Sequence, residues 1–365
     1  MRVMLLVTDL ERGGTPLRIA RLARGLKREG IEAHVGCLAP AGPVSRELDQ
    51  GGIATFACDA AGPRDFGALA RLSAHVRRIR PALIHANLTH ANVAARLVGL
   101  RHRIPVIGST ATIEVERRWH LRLERWTARL DRRHVVNSRA VAEHVKAVFG
   151  LPSSKIAIVP PSVDRCEAST DRWSARRAMQ IAEHELAVLW AGRLDSVKRL
   201  EIVVRCAEIL SDVPSRFLLA GEGPFREELE RFIRLSSAAS RVSLLGWRDD
   251  LPTLMAAADA FIFPSMTEGM PNAVLEAMAA GLAIVAADIP VLRELCGDGQ
   301  RMGLVDGGEA VAYADELRQR AADSGRRERL GHAAAAWASE HLDPRHTVRA
   351  VIEIYERVRH PSSRT

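Results

Sequence analysis

A chain of 365 residues is too long for one ordinary core, so two domains of about 150–180 residues are expected. Hydrophobic residues make up 47% and charged ones 26%, which excludes a disordered chain and fits a globular one with a core throughout. The net charge of +8 is unevenly spread: residues 1–162 hold 26 Lys and Arg against 13 Asp and Glu, and residues 163–365 hold 26 against 31. Such an asymmetry points to an anionic partner for the first half, namely a membrane surface, a nucleic acid or an acidic substrate. Only Lys27, Lys146, Lys155 and Lys198 are lysines, so a general preference for Arg contributes to the balance.

The five cysteines (Cys37, Cys58, Cys166, Cys206 and Cys296) are scattered, odd in number and without CxxC spacing, as expected of reduced cytosolic thiols. The apolar run Val3 to Val7 is too short for a signal-peptide core. No segment reaches the roughly 18 apolar residues of a spanning helix, so a cytoplasmic location is expected.

Arg2 to Val7 reads as a strand that leads into a turn at Gly13 and Gly14, with Thr15 as a cap and Pro16 at the first helical position. Such a strand, glycine loop and helix lets backbone approach a phosphate or a sugar, although the GxGxxG spacing of dinucleotide sites is missing. Further strands are expected at 33–38, 53–57, 82–85, 104–107 and 134–137, with Arg-rich helices between them. Alternating strands and helices make a parallel, doubly wound sheet whose ligands gather at the carboxyl ends of the strands. His85, Asn87, Ser109 and Thr110 fall at such ends.

From Glu114 to Arg133, the residues Val115, Trp119, Leu123, Trp126 and Leu130 form one helical stripe, with seven Arg residues on the other faces. Packing of the stripe on the first sheet is the preferred expectation. The arginines are then left to meet anionic lipid, which would make the association peripheral and through the first domain. Ser138 to Phe149 reads as a helix and Ile156 to Val159 as a strand. Pro160, Pro161, Ser162, Val163 and Asp164 read as a linker, with the second domain beginning in the polar residues 165–186.

The second sheet begins at Ala187 to Ala191, followed by Gly192, Arg193, Leu194 and Lys198. Arg193 and Lys198, five apart after a strand end, can both be aimed at a diphosphate. Arg216 to Ala220 leads to the turn Gly221-Glu222-Gly223-Pro224, and Val242 to Leu245 to Gly246-Trp247-Arg248. Asp249 and Asp250 read as surface charges. Neither an Asp-x-Asp element at a strand end nor a His/Cys cluster with ligand spacing occurs, so no metal is expected.

The most informative stretch runs from Phe263 to Asp288. A strand ends at Pro264, Glu268 lies in the loop, and a helix starts near Pro271 and Asn272 with Asn as the cap. Glu276 then lies one turn inside, and Gly281 ends the helix. The helix N-terminus offers backbone N–H groups and a positive dipole end to an anion, while the two carboxylates accept hydrogen bonds from hydroxyls. A sugar nucleotide supplies both.

This block resembles the signature of retaining glycosyltransferases of family 4 (glycosyl transferases group 1), which read Glu, seven residues, Glu, then EAMA and Gly. Here it stands as Glu268, Glu276, Ala277, Met278, Ala279 and Gly281. The GRL...K, GEGP and GW motifs and the N-terminal Gly pair follow in family order, so the resemblance covers nearly the whole chain. It implies the GT-B fold: two Rossmann-like domains, 1–162 on the acceptor side and 163–342 for the nucleotide sugar, facing a cleft. Residues 343–365 would then be a helix returning to the first domain, plus a tail.

By the resemblance, Arg193 and Lys198 neutralise the departing diphosphate and Glu268 holds donor-sugar hydroxyls. Gly13, Gly14, Gly192, Gly223, Trp247, Arg248, Leu251, Gly269, Met270, Pro271, Asn272 and Glu276 surround the donor, with Glu276 on the ribose. His85, Asn87, Ser109 and Thr110 line the acceptor or sugar side, although Gly108, Ser109 and Thr110 stand where the family often has a histidine. The expected activity is metal-independent, retaining transfer from a UDP- or GDP-sugar to a glycan or lipid-linked acceptor in polysaccharide or glycolipid synthesis. The alternatives are a sugar-nucleotide epimerase or a catalytically silent sugar-nucleotide-binding subunit. A nucleic-acid partner is not expected, because the Arg-rich helices carry no recognisable reading motif.

Overall fold

The computed structural model of the chain describes residues 1–62, 65–113, 118–163 and 170–360. Val115 and Arg117 of the Trp-bearing stretch, Asp164 of the linker, Cys166 beyond it, and the tail 361–365 lie outside the described residues. The chain divides into two compact units, one of residues 1–162 with 343–365, the other of residues 163–342.

The first unit holds β1 (Arg2–Val7), β2 (Glu32–Cys37), β3 (Thr55–Ala57), β4 (Leu83–Asn87), β5 (Val106–Thr110), β6 (Arg133–Val136) and β7 (Ile156–Ile158). They form one parallel sheet in the order β3-β2-β1-β4-β5-β6-β7. Strand β1 is apolar without alternation because both faces are covered. Val3, Leu5 and Val7 pack with the helix Gly14–Arg28, while Met4 and Leu6 pack with the helices Gly67–Ile79 and Thr89–His102.

Most strand ends shift by one or two residues from the sequence reading, and two differences have a local cause. Pro105 has no amide to give the ladder, so β5 starts at Val106 and extends through Ser109 and Thr110, which pair with Val135 and Val136. The first helix starts at Gly14 with Gly13 at the cap position, so Thr15 does not cap it and Pro16 stands at its third residue.

The helix Pro344–Arg359 belongs to the first unit and packs Val348, Val351, Ile354 and Tyr355 into its core. Contact with the helix Gly14–Arg28 is close at Gly25, where a Cβ would stand 2.3 Å from Val348 Cγ2. Side-chain volume at position 25 would separate the two helices.

The second unit holds β8 (Leu186–Ala191), β9 (Ser215–Ala220), β10 (Val242–Gly246), β11 (Ala260–Phe263), β12 (Ala283–Ala287) and β13 (Met302–Val305). These too are all parallel, in the order β10-β9-β8-β11-β12-β13. Strands β8, β11 and β12 are buried along their whole length, as expected for strands sandwiched between helices. The strand order reverses beside β1 in the first sheet and beside β8 in the second, and such switch points are where α/β sheets bind ligands.

The Trp-bearing stretch is corrected by the structure. The helix Arg118–Thr127 buries His120 and Glu124, with Ala128 just after it, and exposes Trp119 (48%), Leu123 (36%), Trp126 (82%) and Leu130 (44%). The apolar stripe therefore does not pack on the sheet. The cause is a buried cation: Arg96, in the apolar stretch 93–100 of the helix Thr89–His102, is bound by Glu124 Oε2 at 2.6 Å and by both oxygens of Asp131 at 2.8 and 2.7 Å. All three side chains are sealed from solvent. A buried guanidinium left unpaired would cost several kcal/mol, a penalty of the same order as the gain from burying the two tryptophans. Asp131→Ala is therefore expected to destabilise the fold by about 3–5 kcal/mol, read as a shifted urea midpoint, whereas Trp126→Ala shifts it by less than about 1 kcal/mol.

Candidate functional site

In the second unit, four loops follow neighbouring strands and are stitched together by their backbones. Gly192 N–H donates to Ala220 O at 3.0 Å, Leu194 N–H to Glu222 O at 2.9 Å, and Gly221 N–H to Gly246 O at 2.7 Å. Met266 N–H donates to Val197 O at 2.9 Å, joining the loop after β11 to the loop after β8.

Two glycines make this rim possible. Gly221 has φ +149°, and a Cβ there would sit 1.8 Å from Gly192 O; at Gly223 it would sit 2.1 Å from Leu194 O. Packing between loops therefore already requires the two glycines of the GEGP turn. By contrast, a Cβ at Gly13 would meet only Pro16 Cδ at 3.8 Å, an ordinary contact.

Lys198 and Glu268, seventy positions apart, form an ion pair across the switch point between β8 and β11. Their side chains are 17% and 12% exposed, and the ammonium also stands 5.8 Å from the centre of the Phe263 ring. Glu268 is thus fixed by a cation and keeps accepting capacity for a further donor. Arg193 is more open to solvent: it pairs with Asp195 in its own loop and its side chain is 69% exposed.

The helix after this loop runs Asn272–Ala279. Pro271, not Asn272, occupies the cap position, because its extended backbone (φ −74°, ψ 116°) already meets the geometry required there. No side chain caps the helix. Its N-terminus directs the positive end of the helix dipole toward this loop. Gly269 and Met270 are buried before it, and Glu276 lies half-buried one turn in.

Trp247, 39% exposed, donates from Nε1 to Asp249 Oδ1 at 2.8 Å, and Arg248 grips Asp250 with bonds of 2.7 and 2.6 Å. The Arg248 hydrogen bonds hold the Asp250 carboxyl below its usual range. Asp249 and Asp250 therefore orient the GW loop rather than only solvating it. Leu251 opens the helix Leu251–Ala257 immediately after.

In the first unit the four residues expected on the acceptor side, His85, Asn87, Ser109 and Thr110, line one cavity of about 60 Å³. Arg18 and Arg21 of the first helix and Pro344, Thr347 and Val351 of the last also line it. Burial, with Arg21 beside it, pushes the Arg18 guanidinium down to about 10. Asn87 Nδ2 and Asn137 Oδ1 are buried without a hydrogen-bond partner, the Asn137 amide being oriented by a 2.8 Å bond from its Nδ2 to Ala111 O. The cavity lining thus includes an unmet donor on Asn87 and an unmet acceptor on Asn137.

His85 has both ring nitrogens engaged, Nδ1 with Tyr355 Oη at 2.8 Å and Nε2 with Ser109 Oγ at 2.7 Å. It is a buried anchor between the sheet and the last helix, which leaves Asn87 as the member of that set with an unmet donor, Thr110 Oγ1 being engaged with His134 Nε2 at 2.9 Å. Among the described residues no group of three or more His, Cys, Asp or Glu is arranged to hold a metal ion. Cys37, Cys58, Cys206 and Cys296 are free and buried.

Residues 12–166 match the family described as Glycosyltransferase Family 4, and residues 185–323 the one described as Glycosyl transferases group 1. The chain belongs to the family 4 glycosyltransferases. Among curated relatives, the D-inositol 3-phosphate glycosyltransferase of Salinispora tropica is 31% identical over 243 residues, which is 61% of this chain and 50% of the relative. That of Nocardia farcinica is 31% identical over 235 residues, 61% of this chain and 52% of the relative. The chain thus spans about half the length of the curated relatives it matches.

The fold matches that of the GT-B enzymes. The Anabaena protein HepE, solved with UDP-glucose, superposes with a TM-score of 0.87 at 22% identity, covering 98% of this chain and 99% of that one. WaaG, a glycosyltransferase involved in lipopolysaccharide biosynthesis, gives 0.73 at 15% identity with both chains covered completely.

Sequence reasoning missed Asp195, Tyr355 and the Arg96 cluster. Asp195 and Asp250 each stand two residues after the Arg they hold, a spacing visible in the sequence. Tyr355 and His85 are 270 positions apart, and no local pattern joins them.

Burial, with His134 nearby, pulls His85 from 6.5 down to about 4. The folded value lies below the unfolded one, so unfolding takes up the proton, and this contribution is full above about pH 6.5 and lost as pH falls toward 4. Urea denaturation is expected to lose about 3 kcal/mol over that window from this group, and His85→Gln to remove that part of the slope.

Proposed function

We propose that the chain is a retaining, metal-independent glycosyltransferase that moves a sugar from a nucleoside-diphosphate sugar to a glycan or lipid-linked acceptor in cell-surface polysaccharide or glycolipid synthesis. The observation that carries the reading is the Lys198–Glu268 pair at the switch point, beside the N-terminus of the helix Asn272–Ala279. HepE was solved with UDP and with UDP-glucose, which supports UDP as the carrier to test first.

In this reading Glu276 holds the ribose, Glu268 the donor-sugar hydroxyls, and the GW loop with Leu251 the base. Cleavage of the anomeric bond leaves negative charge on the diphosphate. Lys198, Arg193 and the positive end of the helix beginning at Asn272 receive that charge as it develops. The Asp195 partner keeps Arg193 near the rim until a diphosphate competes for it. Retention follows from front-face attack, with a donor phosphate oxygen taking the acceptor proton. Asn87, Thr110 and Asn137 are the hydroxyl partners on the acceptor side, and the enzyme works at the cytoplasmic face of a membrane.

Thermal shift with UDP-, GDP- and ADP-sugars tests the donor: a rise with one base is expected, and a flat response to all three defeats the reading. Donor consumed without acceptor would instead indicate an epimerase. Lys198→Ala is expected to lower turnover about a hundredfold, the effect of about 3 kcal/mol of lost transition-state stabilisation, with an unchanged circular dichroism spectrum. Turnover within about threefold of the parent would remove Lys198 from the mechanism.

A further inference from the structure

We propose that the outward face of the segment 119–132 is a docking surface for a bilayer rich in anionic phospholipid. Each exposed residue of this segment is Arg, Trp or Leu: Trp119, Arg122, Leu123, Arg125, Trp126, Arg129, Leu130 and Arg132. Among the described residues no acidic side chain shares the face, because Glu124 and Asp131 are turned inward onto Arg96. The buried ion-pair cluster therefore creates the surface as well as anchoring it.

Among the described residues none of these four arginines pairs with a carboxylate, whereas Arg71 and Arg96 of the same unit do. Trp126 is 82% exposed. The packed neighbour helix Thr89–His102 adds exposed Leu97 (45%) and Leu100 (66%), and Arg101 and Arg103 stand at its end. Large apolar side chains edged only by cations have little affinity for a neutral protein surface, and they match an interface in which phosphates overlie acyl chains. A helical segment of this length, about 20 Å, lies in the plane of the interface and is too short to cross.

This surface deepens the reading of a membrane-borne acceptor, and its test is separable from that of the donor site. The full chain is sedimented with vesicles of pure phosphatidylcholine and with vesicles containing phosphatidylglycerol, at low salt. Pelleting with the anionic vesicles alone is expected. Each Arg near such a surface strengthens binding about fivefold, so the triple variant R122E/R125E/R129E loses more than about a hundredfold. Trp126→Ala weakens binding and abolishes most of the fluorescence quenching by brominated lipid. The variants keep the parent's melting midpoint and donor-induced shift.

Absence of pelleting in a parent chain that still responds to donor overturns the docking surface and leaves the donor reading standing. Pelleting that the triple variant retains also overturns it. So does a self-association that Trp126→Ala abolishes in a chain that ignores vesicles, because the face then belongs to a second copy. Vesicle binding through this face in a chain that ignores every donor leaves the surface standing and removes the donor reading.

Discussion

The ion pair between Lys198 and Glu268 is the constraint on which the second unit's site depends. Its partners come from loops after β8 and β11, the adjacent strands between which the winding of the sheet reverses. A parallel sheet leaves a crevice there because the connections depart to opposite faces. A lysine alone in such a crevice would move with its loop, and a carboxylate alone would repel a phosphate. Paired and mostly sealed from water, each fixes the other, and the net charge of the pair does not oppose an incoming anion. The helix dipole from Asn272 then sets the sign of the local field.

The glycines around this pair serve that geometry. Gly221 approaches Gly192, and Gly223 approaches Leu194, so closely that the rim could not close with side chains present. Backbone bonds between successive loops turn four separate turns into one edge. Arg193 and Trp247 are then supported by that edge while remaining accessible. A rim built this way holds its donors and acceptors by backbone, which is consistent with one fold serving many donors through small loop changes.

Much of this was legible in the chain. Strand β1 was read with its observed bounds, and the Glu268 to Gly281 block identified loop, helix and stop, because glycine and proline punctuate structure by local chemistry. The cap was misplaced by one residue, since Asn is a good cap by propensity but Pro271 already had the extended backbone that the position needs. Neither the pairing of Lys198 with Glu268 nor that of His85 with Tyr355 was readable, as each depends on how distant strands and helices meet. The motifs specified which groups were present, and only the packed sheet specified their partners.

The inverted helix from Arg118 to Thr127 makes the same point with the opposite sign. Periodicity located the stripe correctly but not its direction, because a hydrophobic stripe ordinarily faces inward and no competing demand is visible within the helix. The demand comes from Arg96, one charge in an apolar stretch of another helix. Once that guanidinium is buried, Glu124 and Asp131 must follow it, and helical geometry then carries Trp119, Leu123 and Trp126 to the outside. Burying two tryptophans would have been worth a few kcal/mol, and stranding a charge costs at least as much. A chain that keeps this arrangement gives up core packing for a basic, aromatic face, and that exchange is intelligible if the face has something to bind.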